Sequence, residues 1–285
     1  MNYVSKLVLG TVQFGLDYGI NNRFGQVRQD EVNKILQQAK ESGIKTLDTS
    51  SAYGISESVL GKSFSENELR FRIVSKYPRS EENVSAVFAS SIKKLHLEKL
   101  YGYLVHHFEF YQSHPHIWEE MKQLKEEGMI EKIGFSLYNT AQLEYLLDNG
   151  VEFDILQFPY NLLDRQFDAF LPSLKERGIE IHTRSVFLQG LFFKDLDSLG
   201  RQLEPLKPYL SQIRIYCATH AVTVEECALS FSLQNPFIDG VLIGVDNVEQ
   251  LRDNINVAAD PIEIDELVKR INVKETFLLN PSNWT

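Results

Sequence analysis

Eight short apolar or β-branched runs alternate with amphipathic stretches along the whole chain, and this alternation limits the fold more tightly than any other feature. The runs are 6–9, 46–47, 71–74, 103–105, 130–135, 154–158, 179–183 and 240–243. None clearly alternates between polar and apolar, as expected for strands buried on both faces of a parallel sheet. Between them, segment 29–42 places Val32, Ile35, Leu36 and Ala39 on one helical face and ends before Gly43. Segment 81–97 does the same with Val84, Val87, Phe88, Ser91 and Leu95. Segments 117–127, 141–149 and 165–177 end at Gly128, Gly150 and Gly178, which suit the left-handed position after a helix. Segment 248–258 follows the eighth run. Eight such units in 285 residues predict one (β/α)8 barrel domain over 1–285. A doubly wound sheet is the alternative. It usually carries a Gly-rich dinucleotide turn after its first strand, and Gly10-Thr11-Val12-Gln13-Phe14-Gly15 lacks that spacing. Segment 192–212 and the tail 260–285, with Phe277 and Trp284, exceed what a barrel needs and are expected to cover its mouth or its bottom.

Composition excludes several functions. Lys and Arg number 29 against 39 Asp and Glu, a formal charge of −10 with no basic stripe, so a nucleic-acid or anionic-membrane surface is not expected. No apolar run reaches the roughly 18 residues of a membrane span. The N-terminal run lacks a small-residue cleavage site, so a cytoplasmic protein is expected. In that setting Cys217 and Cys227 read as two reduced, buried thiols, and the sequons at Asn83 and Asn283 carry no meaning. His106 and His107 are strand neighbours that should point to opposite faces, and His114-Pro115-His116 has no further ligand at metal spacing. No metal is expected. Leu60-Gly61-Lys62-Ser63 resembles the end of a phosphate loop but lacks its first glycine, so it reads as a helix terminus.

Asp48, Tyr53, Lys76 and His106 each fall at or just past the C-terminal end of predicted strands two, three and four. That end of a barrel carries the chemistry, and the spacing from Asp48 to Lys76 and from Lys76 to His106 is one βα unit each. A tyrosine hydroxyl is a poor acid until a neighbouring ammonium favours its phenolate. An aspartate can hold that ammonium, and a neutral histidine can orient a carbonyl oxygen. The four suit protonation of a carbonyl oxygen while hydride arrives at its carbon. Each also has a plainer reading: Tyr53 as packing, Lys76 as solvated, and Asp48-Thr49-Ser50-Ser51 as a helix cap.

The stretch Leu47-Asp48-Thr49-Ser50-Ser51-Ala52-Tyr53-Gly54, with Ser56-Glu57 and Leu60-Gly61, resembles the signature of the aldo-keto reductases. Val74-Ser75-Lys76, Tyr103-Leu104-Val105-His106, Gly134-Phe135-Ser136, Gln157 with Tyr160-Asn161, Gln189-Gly190-Leu191 and the stretch 244–254 continue the resemblance in order. It implies a barrel that binds a nicotinamide dinucleotide, with Tyr53 as general acid/base, Lys76 and Asp48 as its partners, and His106 orienting the substrate. It further implies that Ser136 and Gln157 hold the carboxamide and that Gly10 and Thr11 approach the cofactor. Ser185 through Gln189 would follow the pyrophosphate, and Gly244, Asn247, Gln250 and Asn254 the adenosine end.

Three positions depart from that pattern. Leu137 replaces an asparagine beside the carboxamide serine, and Arg184 stands where an aromatic residue commonly stacks on the nicotinamide. Asp246 stands where a cation commonly meets the adenosine 2′-phosphate. A carboxylate there repels the phosphate and accepts from a free 2′-hydroxyl, so NAD(P)(H) is expected with a lean toward NAD(H). The substrate is expected to be a small carbonyl compound or alcohol. The loops 16–26, 108–115 and 192–212 and the tail would shape its pocket, and the polar first loop suits a keto-sugar. The alternatives are a cofactor-binding regulatory or scaffolding barrel, and an isomerase with retained cofactor.

Overall fold

In the computed structural model, which describes residues 2–20, 22 and 25–284, the eight runs pair side by side and close on themselves. The strands are β1 (Leu7–Gly10), β2 (Thr46–Asp48), β3 (Arg72–Tyr77), β4 (Leu100–Val105), β5 (Ile130–Ser136), β6 (Ile155–Pro159), β7 (Glu180–Arg184) and β8 (Gly240–Gly244). All neighbours are parallel, and β8 returns to β1 with Gly10 opposite Gly244. The protein is therefore a closed (β/α)8 barrel.

The helices among the described residues are α1 (Val12–Gly15), α2 (Gln29–Glu41), α3 (Ser56–Asn67), α4 (Val84–Leu95), α5 (Phe108–Ser113), α6 (His116–Glu126), α7 (Thr140–Asp148), α8 (Leu171–Glu176), α9 (Lys207–His220), α10 (Val224–Gln234), α11 (Val248–Ala259) and α12 (Asp265–Arg270). Their apolar stripes pack on the sheet; in α2 these are Val32, Ile35, Leu36 and Ala39, all fully buried. Inside the barrel, Val74, Leu104 and Ile155 form a separate small cluster. No helix among the described residues is long and apolar enough to cross a membrane. Cys217 on α9 and Cys227 on α10 are free, buried and 3.6 Å apart at sulfur.

Several boundaries differ from expectation, each for a local reason. β3 runs on through Ser75, Lys76 and Tyr77, because a buried lysine paired inside the barrel extends the strand instead of ending it. β4 begins at Leu100. The helix expected over 165–177 is an α-helix only over Leu171–Glu176, after a 3-10 turn at Asp168–Phe170. Phe167, buried and stacked 4.1 Å from Phe158, holds the chain out of helix there. Leu60-Gly61-Lys62-Ser63 lies in the interior of α3, not at a terminus. Gly61 is required by close packing: a Cβ there would lie 2.0 Å from the Lys94 backbone oxygen of α4. Segment 108–115 does not shape the pocket; it forms α5, whose Phe108 and Tyr111 are buried in the core. The excess between β7 and β8 consists of 3-10 turns followed by α9 and α10.

Candidate active site

The C-terminal strand ends surround one cavity of about 710 Å³. Asp48 ends β2, Lys76 is the next-to-last residue of β3, and His106 directly follows β4, so neighbouring strands deliver all three to one wall. Tyr53 comes from the turn before α3, where its backbone N–H donates to Ser50 O at 2.9 Å. Asp48 and Lys76 are buried and form an ion pair. The Lys76 ammonium also donates to Thr49 O at 3.0 Å and lies 3.4 Å from the Tyr53 hydroxyl. The second Asp48 oxygen accepts from Gln157 Nε2 at 2.8 Å. Asp48-Thr49-Ser50-Ser51 is not a helix cap; Ser51 donates to Lys76 O at 3.2 Å, and α3 starts only at Ser56.

The electrostatics correct one expectation. The Lys76 ammonium beside the Tyr53 hydroxyl does not bring its net pKa below the ordinary one. Burial, and then the charge of Asp48, hold it well above its ordinary value of 10. The lysine charge is already matched by Asp48, and burial lowers the pKa of Lys76 itself. The phenol is therefore fully protonated at neutral pH. Burial, then Lys76, His107 and Arg184, push His106 well below its usual 6.5, so its ring is neutral. Its Nδ1 lies 3.2 Å from Ser50 Oγ, which accepts the Ala52 N–H at 3.1 Å. His106 and His107 do not point apart: past the strand end alternation lapses, and their rings stack at 4.7 Å. Among the described residues, no three His, Cys, Asp or Glu converge as metal ligands.

The remaining residues singled out in the sequence divide by position. Gly10, Thr11, Ser136, Gln157, Arg184 and Ser185 line the cavity, as do Gln189, Gly244, Asp246, Gln250 and Asn254. Ser136 and Gln157 are register partners on β5 and β6. Ser185, Leu188, Gln189 and Gly190 all have positive φ, a concentration of strained backbone on the β7 side of the wall. The Asp246 Oδ1 atom is buried without a partner, while its N–H donates to Gln250 Oε1 at 2.8 Å. Asn247 lies outside the lining; it caps α11 by accepting the Gln250 N–H at 2.9 Å. Lys76 reaches the cavity only through Tyr53.

Sequence reasoning missed Ser50, Gln13 and Tyr138. Gln13 lines the cavity with its Oε1 buried and unpartnered, and a Cβ on Gly244 would lie 2.5 Å from its Nε2. Its place in the opening glycine motif was the available signal. Tyr18 and Asn22 of the first loop, Phe193, and Asn280 to Ser282 of the tail also line the cavity. Tyr18 OH accepts from Gln189 Nε2 at 2.7 Å, so the first loop reaches the strained segment. Asn21, Arg23 and Phe24 of that loop lie outside the described residues, as do Met1 and Thr285.

Comparison with known proteins agrees with this fold. The chain is 26% identical to L-galactose dehydrogenase of Arabidopsis thaliana, over 87% of this chain and 84% of that one. It is 25% identical to the NADH-specific methylglyoxal reductase of Escherichia coli, over 62% of this chain and 59% of that one. In fold it matches the crystal structure of PA4992 from Pseudomonas aeruginosa, which carries an aldo-keto reductase assignment. The TM-score is 0.68 at 21% identity, covering 90% of this chain and 91% of that one. The sequence profile of the aldo/keto reductase family matches residues 6–273, and the chain belongs to that family.

Proposed function

We propose that this protein interconverts a small carbonyl compound and its alcohol with a nicotinamide dinucleotide, with Tyr53 as the proton donor in reduction. The observation that carries this is the Tyr53 hydroxyl: protonated, turned to a cavity, and 3.4 Å from an ammonium buried with its counter-ion. The residues fit the cofactor. Ser136 and Gln157 set a hydroxyl and an amide oxygen side by side where a carboxamide can pair. Gly10 and Gly244 face each other at the β1–β8 junction with the Gln13 amide against Gly244, and Gln13 and Asp246 hold unpartnered oxygens. When bound, a nicotinamide dinucleotide supplies or accepts the hydride.

The protein's part is to hold and move the proton. Burial and Asp48 hold the phenol protonated until a carbonyl oxygen accepts its hydrogen bond. As the proton transfers, the Lys76 ammonium faces the developing phenolate, with Asp48 and Thr49 O fixing its direction. Ser50 can give its hydroxyl proton to His106 Nδ1, because its oxygen already accepts from Ala52. His106 then presents an Nε2 hydrogen to the substrate oxygen.

The form used is NAD(H). Among the described lining residues the stretch 244–254 carries Asp246 and Asp253 and no cation, and Glu225 at the start of α10 also lines the cavity. Arg252 is turned away, bonded to Gln38 and Glu249. A 2′-phosphate would meet carboxylates, whereas a 2′-hydroxyl finds an acceptor in Asp246. The NADH-specific relative supports the same choice. The test is cofactor oxidation with a panel of aldehydes, 2-oxoaldehydes and keto-sugars, together with dissociation constants for NADH and NADPH in the wild type and Asp246→Arg. NADH consumption and tighter NADH binding are expected, with preference moving toward NADPH in the variant. Wild-type NADPH binding about tenfold tighter would overturn the cofactor choice.

A further inference from the structure

Arg184 is the one cation among the described residues that line the cavity. Its guanidinium lies over the Tyr138 ring, 4.3 Å from the centroid. Nη2 donates to Leu137 O at 3.0 Å, and Nη1 reaches Ser185 Oγ at 3.4 Å. Among the described residues no carboxylate forms an ion pair with it, although its charge acts at longer range on the buried Asp164. In a closed eight-stranded barrel β7 lies opposite β3, which places Arg184 across the mouth from Lys76 and Tyr53. Ser136 and Gln157, on β5 and β6, lie between these two walls.

This inference rests on the cofactor reading above. A ring whose carboxamide meets Ser136 and Gln157, and whose reactive face meets Tyr53, has Arg184 behind it. We propose that Arg184, held flat by Tyr138, selects the redox state of the bound nicotinamide, accepting the neutral reduced ring and repelling the cationic oxidised one. In reduction, hydride goes from the ring to the carbonyl carbon and the Tyr53 proton goes to the carbonyl oxygen. A positive charge is then left on the ring against an unpaired guanidinium. Two like charges brought close together in a half-buried site would repel each other. The overall equilibrium is untouched; Arg184 sets which form loads readily and which leaves. Tyr138 matters because its face, together with the Leu137 carbonyl, keeps the guanidinium from turning out to water.

The test is equilibrium titration of NADH and of NAD⁺ against the wild type, Arg184→Gln, Arg184→Lys and Tyr138→Leu. The wild type should bind NADH at least about tenfold tighter than NAD⁺. Arg184→Gln should bring the two within about threefold, mainly by tightening NAD⁺. Arg184→Lys should keep most of the preference, and Tyr138→Leu should keep an intermediate one. If Arg184→Gln does not fold, the ordering of the lysine and Tyr138 variants still decides. Equal wild-type affinities, or a ratio unmoved by loss of the charge, would overturn the proposal. So would a raised KM for carboxylate-bearing carbonyls with the ratio unchanged, since Arg184 would then anchor substrate. If the wild type binds neither form, it is the cofactor reading that fails.

Discussion

The two ends of the barrel each carry a carboxylate, a lysine, a tyrosine and a histidine and use them differently. At the C-terminal end stand Asp48, Lys76, Tyr53 and His106. At the N-terminal end stand Glu180, Lys132, Tyr101 and His182. In the lower set each side chain is tied to Glu180 and turned away from any cavity: Tyr101 donates to Oε2 at 2.6 Å, Lys132 pairs with the same oxygen, and His182 Nε2 lies 2.7 Å from Oε1, leaving only His182 Nδ1 buried without a partner. These bonds hold Glu180 well below its usual carboxylate range against the opposing effect of burial. In the upper set only Asp48 and Lys76 are satisfied. The Tyr53 hydroxyl has only a long contact to the ammonium, and both it and His106 face the cavity. A carboxylate, a lysine, a tyrosine and a histidine do not make a reactive site by being present. The upper set is set apart by groups left unspent beside a space that admits a ligand.

The largest expected difference between the ends is in turnover. Tyr53→Phe should lower kcat by about 10² to 10⁴, the usual worth of a positioned general acid, with NADH affinity retained. Tyr101→Phe should leave kcat within about threefold, because it removes only a hydrogen bond of roughly 1 kcal/mol. Comparable losses from the two substitutions would erase the distinction.

Breaking the ion pairs should cost stability at both ends but activity only at one. Lys76→Met leaves Asp48 buried and unpaired, a loss of about 3–5 kcal/mol in denaturant unfolding. Lys132→Met should cost less, about 1–3 kcal/mol, because that pair is partly solvated. Residual activity of Lys76→Met should shift its pH profile, since the phenol would face Asp48 without the ammonium. An unchanged profile would remove Lys76 from the proton path.

A smaller effect sharpens the role of Ser50. Ser50→Ala should lower kcat by about fivefold, the worth of one hydrogen bond, and mix the tautomers of His106 seen by nitrogen NMR. A single unchanged tautomer would make Ser50 a bystander.

The ends should also part in their response to acid. The folded-state pKa of Glu180 is depressed, so its contribution is present above the ordinary value of 4.5 and is lost as pH falls below that toward the depressed one. His106 is depressed as well, and the unfolded chain takes up its proton first. Stability therefore declines as pH falls below about 6.5 while the folded ring stays neutral. Turnover of the folded enzyme should stay level through that range. Unfolding of Glu180→Gln should be less sensitive to acid than the wild type, and an identical acid limb would count against the lower network.

Much of the upper end was legible in the sequence, because Asp48, Lys76 and His106 sit at strand ends spaced by one βα unit each. The lower end was not. Glu180 and His182 alternate on one face of β7, Lys132 and Tyr101 come from β5 and β4, and nothing in any one segment announces their meeting. The same holds for Tyr138 beneath Arg184, which depends on the path of the chain after β5 relative to the end of β7. Asn247, assigned to the adenosine end by the family resemblance, has a structural role as well, since its side chain caps α11. The expected helix over 165–177 failed because an apolar period there serves Phe167 burial instead of a helical face.

The central claim, that the upper set works on a hydride acceptor, is tested most directly by following the label. The enzyme would be turned over with NADH carrying deuterium at both positions of the nicotinamide C4, in ordinary water, on the best carbonyl of the panel. One deuterium on the carbinol carbon of the product is predicted, with the hydroxyl hydrogen coming from solvent through Tyr53. Absence of deuterium from the product, with the NADH unconsumed across the panel, would contradict it.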